Sequence, residues 1–195
     1  MTFSDLRLLI LRSFTQPRDV ARVLIALRLP AQARWTALCL VMVLSSVLSL
    51  LVELVMRGVT GEAGEATPVS TILVMTAVQG ALILYGAAAM TVLGRQAGGQ
   101  GTFAEAMVLV SWAEFILILG QCVQFVLMLV VPQLTMIGAA ALIALLFYLL
   151  TQFTAALHGF TSLIKVAMAV IAVFFGTAMI AGMIFVSLGL VPAQI

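Results

Sequence analysis

The sequence predicts an all-α polytopic membrane protein: five transmembrane helices behind a cytoplasmic amphipathic helix, with the N-terminus inside and the C-terminus outside. Three observations predict it. Of the 195 residues, 64% are hydrophobic and 8% charged, whereas a soluble domain carries about 25% charged and about 45–50% apolar residues. A water-solvated globule of this length cannot hide so much apolar surface. The apolar residues fall into five long runs separated by Gly- or Pro-containing breaks. The cations fall almost entirely on one side of the resulting fold.

Residues 1–34 precede the first run and form a basic segment. Within it, "PRDVARVLIALRLP" starts at Pro17, which suits a first helical turn, and is stopped by Pro30. On a helical wheel Val20, Val23, Leu24 and Leu27 form one stripe, with Arg18, Asp19 and Arg22 opposite. Such a helix rests in the headgroup layer with its cations toward anionic lipid. Arg18, Arg22, Arg28 and Arg34 are the expected headgroup contacts, each contributing about 1 kcal/mol. Docking of the same helix on the bundle, or on a partner protein, is the other use open to it. The apolar run at 8–11 is shorter than a signal-peptide core and is flanked by Arg7 and Arg12, so the first span is expected to double as the targeting signal.

A membrane helix needs about 20 mostly apolar residues. Five segments qualify: 35–56, 70–93, 103–130, 136–157 and 166–190. Together they make residues 35–195 a transmembrane domain. The breaks "RGVTGEAGEATP", "GRQAGGQGT", Pro132 and "HGFTS" are turn chemistry, and the second of them reads as a flexible turn. The runs are too long and too uniform for barrel strands. Five crossings place Arg7, Arg12, Arg18, Arg22, Arg28, Arg34, Arg95 and Lys165 on one side and Arg57 on the other. Eight against one sets the first side as cytoplasmic. The preference for Arg over Lys hints at a bacterial source, and hence an inner membrane. Cys39 and Cys122 both lie inside spans and read as small apolar fillers.

Glu114 lies about halfway along the third span. A carboxylate there costs about 2.5–3.5 kcal/mol on insertion scales, so it should face protein or a water-filled cavity. Gln121 lies two turns on, on the same face, and Ser111 one turn back. Other spans bring Gln79, Tyr85 and Tyr148 to comparable depth, along with Ser45, Ser46, Ser49, Gln152 and Thr177. These residues make a candidate intramembrane polar cluster. Interhelical pairing, a ligand or headgroup site, and a proton or ion path are the three uses it suggests. Glu105, after Thr102, suits the positive end of a helix dipole. Glu53 and Arg57 have the spacing of a helical ion pair. Small residues in the second span (Gly80, Gly86, 87–89) and the fifth (Ala172, Gly176, Ala178, Gly182) predict close helix contacts, or a homo-oligomer interface.

No metalloprotease, nucleophile-elbow, CxxC or phosphate-loop pattern is present. His158, alone of its kind, reads as a helix-end cap. No catalytic residue, cofactor, metal site or nucleic-acid contact is expected.

Three stretches carry a resemblance: "FTQPRDVARVLIALRLPAQARWTAL", "GGQGTFAEAMVLVSWAEF" and "AALHGFTSLIKVAMAVIA". With the five-span layout they resemble the Yip membrane-protein family, named for interaction with Ypt/Rab GTPases, and in particular its short bacterial members. The resemblance implies a five-helix, non-enzymatic membrane protein. Eukaryotic relatives act in vesicle traffic and bind Rab GTPases through cytosolic regions. This chain has only about 34 residues ahead of its first span, so the implied role is membrane-organising, as a scaffold or adaptor for lipid or proteins. A small transporter or channel with a polar path around Glu114 is the alternative.

Overall fold

The computed structural model describes residues 3–61 and 67–187. In chain order the elements are α1 (Phe3–Thr15), α2 (Pro17–Ala26), α3 (Ala31–Thr60), α4 (Val69–Gln96), α5 (Phe103–Val130), α6 (Thr135–His158) and α7 (Leu163–Ser187). One 3-10 turn, Pro132–Leu134, joins α5 to α6. Among the described residues no strand occurs. The helices α3 to α7 are each long and apolar enough to cross a membrane. The end of the expected fifth span, residues 188–190, and the tail beyond it lie outside the described residues.

The helices overrun the apolar segments because backbone hydrogen bonding continues past the last apolar side chain. α3 begins directly after Pro30, and α4 continues through Arg95. α3 and α6 stop at Gly61 (φ 68°) and Gly159 (φ 71°), both left-handed, the backbone conformation that glycine adopts without a Cβ clash.

Successive spans run antiparallel. Met42 of α3 packs on Gly80 of α4, and Gly86 of α4 faces Val110 of α5. Gly120 and Gly138 place α5 and α6 against each other through Leu142 and Gln124. α5 is central, touching α3, α4 and α6, while α7 packs on α6. One end of the bundle therefore holds the starts of α3, α5 and α7 and the ends of α4 and α6. We call it the basic end, since Arg34, Arg95 and Lys165 lie there.

Burial is lopsided. One apolar cluster joins Leu38 and Val41 (α3), Ile83, Ala87 and Met90 (α4), Leu109, Ala113 and Ile116 (α5), and Leu149 and Phe153 (α6). All of it lies in the half of the bundle at the basic end. Between 42 and 79, and between 119 and 148, no described residue is buried. There the helices turn Leu, Val and Met side chains outward, as lipid permits and water does not.

α1 and α2 complete the closed half. Leu9, Val20, Ala21 and Leu24 join the same cluster, with α2 lying on α6 and α5. The buried side of α2 is Pro17, Val20, Ala21 and Leu24, while Val23 and Leu27 are exposed. This corrects the stripe expected from sequence. A wheel drawn against water collects the largest apolar residues on one side. With lipid on the far side, those residues can stay outside, and Ala21 lets the helix approach closely.

The small residues behave differently in the two spans. Gly80 and Ala87 sit in tight contact in α4, but open space surrounds Gly176 in α7, and Ala172 and Ala178 are exposed. Among the described residues the fifth span makes no close small-residue seam. The surroundings of Gly182 lie outside the described residues.

Candidate functional site

The α1–α2 elbow is pinned from two sides. Ser13 Oγ donates to Leu9 O at 2.9 Å and accepts from Trp112 Nε1 of α5 at 2.9 Å. Tyr148 OH of α6 donates to Phe14 O at 3.4 Å. At about 1.5 Å per residue, Trp112 and Tyr148 stand about 13 and 15 Å from the ends of their helices at Phe103 and His158. The elbow thus reaches well up the bundle instead of lying flat beneath it. Leu8, Leu11 and Phe14 of α1, Val23 of α2 and Leu27 just past its end remain exposed on the outer side, beside exposed Arg7, Arg12, Arg22 and Arg28.

The four candidate headgroup arginines fare differently. Arg22 is exposed and pairs with Asp19 at 3.1 Å. Arg28 is exposed in the α2–α3 link, at φ 43°. Arg34 Nη1 turns back to Leu29 O at 3.0 Å. Arg18 is drawn inward, with Nε and Nη2 shielded from the surface and without a hydrogen-bond partner among the described residues.

The polar residues of the spans divide among helix seams. Gln79 Nε2 donates to Ser45 Oγ at 3.0 Å, across α3 and α4. The Tyr85 hydroxyl lies 2.5 Å from Thr177 Oγ1, across α4 and α7. Thr177 already donates to Val173 O at 2.7 Å, so Tyr85 is the donor. Tyr148 is taken by the elbow, and Gln121 is exposed. None of these hydrogen bonds reaches Glu114. Glu114 is half-buried, with buried Val110 and Ser111 one turn below it and buried Leu117 and Ile118 one turn above. Ser111 Oγ is fully buried and has no hydrogen-bond partner among the described residues. Two polar side chains on one face of α5 are thus brought together, apart from the other four.

Sequence reasoning missed the most elaborate polar arrangement, at the basic end. His158 is buried where the α4–α5 turn meets the end of α6. Its Nδ1 accepts from Gly101 N at 3.1 Å, and Nε2 lies 3.0 Å from Met90 O. Since Nδ1 is an acceptor, the proton sits on Nε2, which donates to Met90. A Cβ on Gly94, Gly99 or Gly101 would overlap the imidazole ring. Arg95 Nε closes the turn on Gly101 O at 3.0 Å, and Phe160 stacks on the ring with centroids 5.3 Å apart. "GRQAGGQGT" is therefore a packed socket, a correction to the flexible turn expected from its glycines. Next to it Thr102 and Glu105 form a capping box, each side chain meeting the other's backbone N–H. The only sequence signal for the socket was the coincidence of one histidine and four nearby glycines.

The arrangement holds no nucleophile–base pair and, among the described residues, no grouping of metal-ligating side chains. What it offers is a basic rim beside exposed apolar side chains, the chemistry of a headgroup boundary. No curated protein and no solved structure matches the chain. The family model of the Yip1 domain matches residues 11–185, from the middle of α1 to the end of α7. With five helices fit to span a bilayer and the family match running through all of them, the chain is an integral membrane protein and belongs to the Yip1 domain family.

Proposed function

We propose that this protein organises lipid, and through it partner proteins, at the cytoplasmic leaflet of an inner membrane, without catalysing a reaction. The observation that carries this reading is the outer side of α1 and α2, where exposed Leu8, Leu11, Phe14, Val23 and Leu27 stand next to exposed Arg7, Arg12, Arg22 and Arg28. Apolar side chains there enter the acyl boundary, and the cations meet anionic headgroups. Docking through Val20, Ala21 and Leu24 makes this a fixed platform of the bundle. Residues 1–34 then act as its cytoplasmic face, and residues 35–195 as its anchor.

Reconstitution of the full chain in mixed anionic and neutral vesicles tests this. Arg22→Gln and Arg28→Gln should each lower enrichment of anionic lipid around the protein about fivefold, for about 1 kcal/mol per cation near the surface. Enrichment unchanged in the double variant sinks the reading.

Ser111 and Glu114 favour a second reading, a proton or solute path, because neither side chain has a hydrogen-bond partner among the described residues. Glu114→Gln in a liposome flux assay decides it. Flux abolished by the substitution establishes the path, and flux equal to wild type removes Glu114 from it.

A further inference from the structure

At the α1–α2 elbow one cation lacks the partner that its burial calls for. Arg18 follows Pro17 in the first turn of α2. Its Nε and Nη2 are shielded from the surface and meet no acceptor among the described residues, which leaves Nη1 to reach outward. The adjacent carboxylate does not serve it, because Asp19 pairs with Arg22 at 3.1 Å, where both are exposed. The helix adds to the excess of positive charge. α2 starts here without a side-chain cap, so the positive end of its dipole lies in the same turn as the guanidinium.

A charge stripped of water on two of its three nitrogens is screened less than one in solvent. Arg18 therefore draws an anion more strongly than Arg22, which is exposed and already paired. The surroundings select the anion. The elbow is held by Trp112 and Tyr148, the residue types that collect where headgroups meet acyl chains. Leu11 and Phe14, near the end of α1, are exposed. A free phosphate would satisfy the cation alone, whereas a phosphate carrying acyl chains also covers these side chains. With Asp19 engaged by Arg22, the turn offers no carboxylate to the ammonium of a zwitterionic headgroup. We infer that the elbow binds one anionic phospholipid, with its phosphate on Arg18 Nη1 and an acyl chain along Leu11 and Phe14. This rests on the lipid-organising reading and adds a discrete site to its diffuse basic rim.

Native mass spectrometry of the full-length protein in detergent, with equimolar phosphatidylglycerol and phosphatidylethanolamine, tests the assignment. The wild type should keep one phosphatidylglycerol after the remaining lipid is stripped. Arg18→Gln should cut that retention about tenfold, the loss of a charge-assisted contact. Arg18→Lys keeps the charge and should hold the lipid several-fold better than Arg18→Gln, which separates a lost charge from a lost fold. The double variant Arg22→Gln/Arg28→Gln should keep the single lipid even as it loses anionic enrichment in vesicles, so the site and the rim fail separately. Equal retention of the two lipids by the wild type overturns the proposal. Retention unchanged in Arg18→Gln, or lost equally in Arg18→Lys, does the same. Displacement by excess inorganic phosphate overturns the lipid assignment in favour of a free anion.

Discussion

His158 shows how much one side chain can organise. Its two ring nitrogens serve Gly101 and Met90, 57 and 68 residues away in sequence, and three glycines leave room for the ring. His158→Ala would leave the buried Gly101 N–H unmet beside a void. It should cost about 2–4 kcal/mol of unfolding free energy in bicelles, judged by the penalty for unsatisfied buried groups plus lost packing. Gly101→Ala should destabilise comparably, because its Cβ collides with Leu157 as well as with the ring. A cost below about 0.5 kcal/mol for both, the level of a neutral surface change, would mean the socket is ornamental. The contrast with Glu105 explains what sequence could supply. Thr102 and Glu105 are three residues apart, and a helix start dictates how they meet. The partners of His158 depend on which turn lies beneath the end of α6, and no local spacing encodes that. Glu114 shows the same limit from the other side. Its place along α5 follows from counting residues, but its neighbours depend on helix order, and Gln79, Tyr85 and Tyr148 bond across other seams.

Among the elements, α2 is the one whose reading changed most. Its start followed from Pro17, although it ends at Ala26, before the stop expected at Pro30, and its basic, amphipathic character was plain in the sequence. Which side it buries was not, because the apolar side chains of α2 have both protein and lipid to choose between. Leu24 and Leu27 separate the two readings with one chemistry. Leu24 is buried against the bundle and Leu27 is exposed. Leu24→Ala should therefore cost about 2–5 kcal/mol, as in a packed core, while Leu27→Ala should stay within about 0.5 kcal/mol. Chemical denaturation of the reconstituted chain reads both. Equal costs would restore the stripe of Val20, Val23, Leu24 and Leu27 and undo the docking of α2. The five long helices, by contrast, were legible nearly to their ends, since length and hydropathy alone decide that an apolar segment of this size must be helical in lipid.

At the scale of the whole molecule, the closed half of the bundle and the basic residues coincide. The elbow, the His158 socket and the capping box lie in the half toward Arg95 and Lys165. Toward Arg57, residues 42–79 and 119–148 include no buried described residue, and that half contains a cavity between α3 and α4. Cations resist translocation when they sit in short loops near span ends, so the closed half should face the cytoplasm. Two loop positions report on this. Gln100 is exposed in the α4–α5 turn at the basic end, and Gln133 is exposed in the α5–α6 turn at the other. With Cys39 and Cys122 replaced by Ala, Gln133→Cys should react with a membrane-impermeant maleimide in intact cells. Gln100→Cys should react only after the membrane is permeabilised. The opposite pattern would place the arginine platform outside and remove the cytoplasmic leaflet as its target. Labelling of both positions in intact cells would mean that the chain inserts in two orientations, which eight cations against one should prevent. Because the prediction depends only on which loops carry charge, it stands apart from every side-chain contact in the bundle. Its outcome fixes which leaflet the closed, basic half of the protein faces.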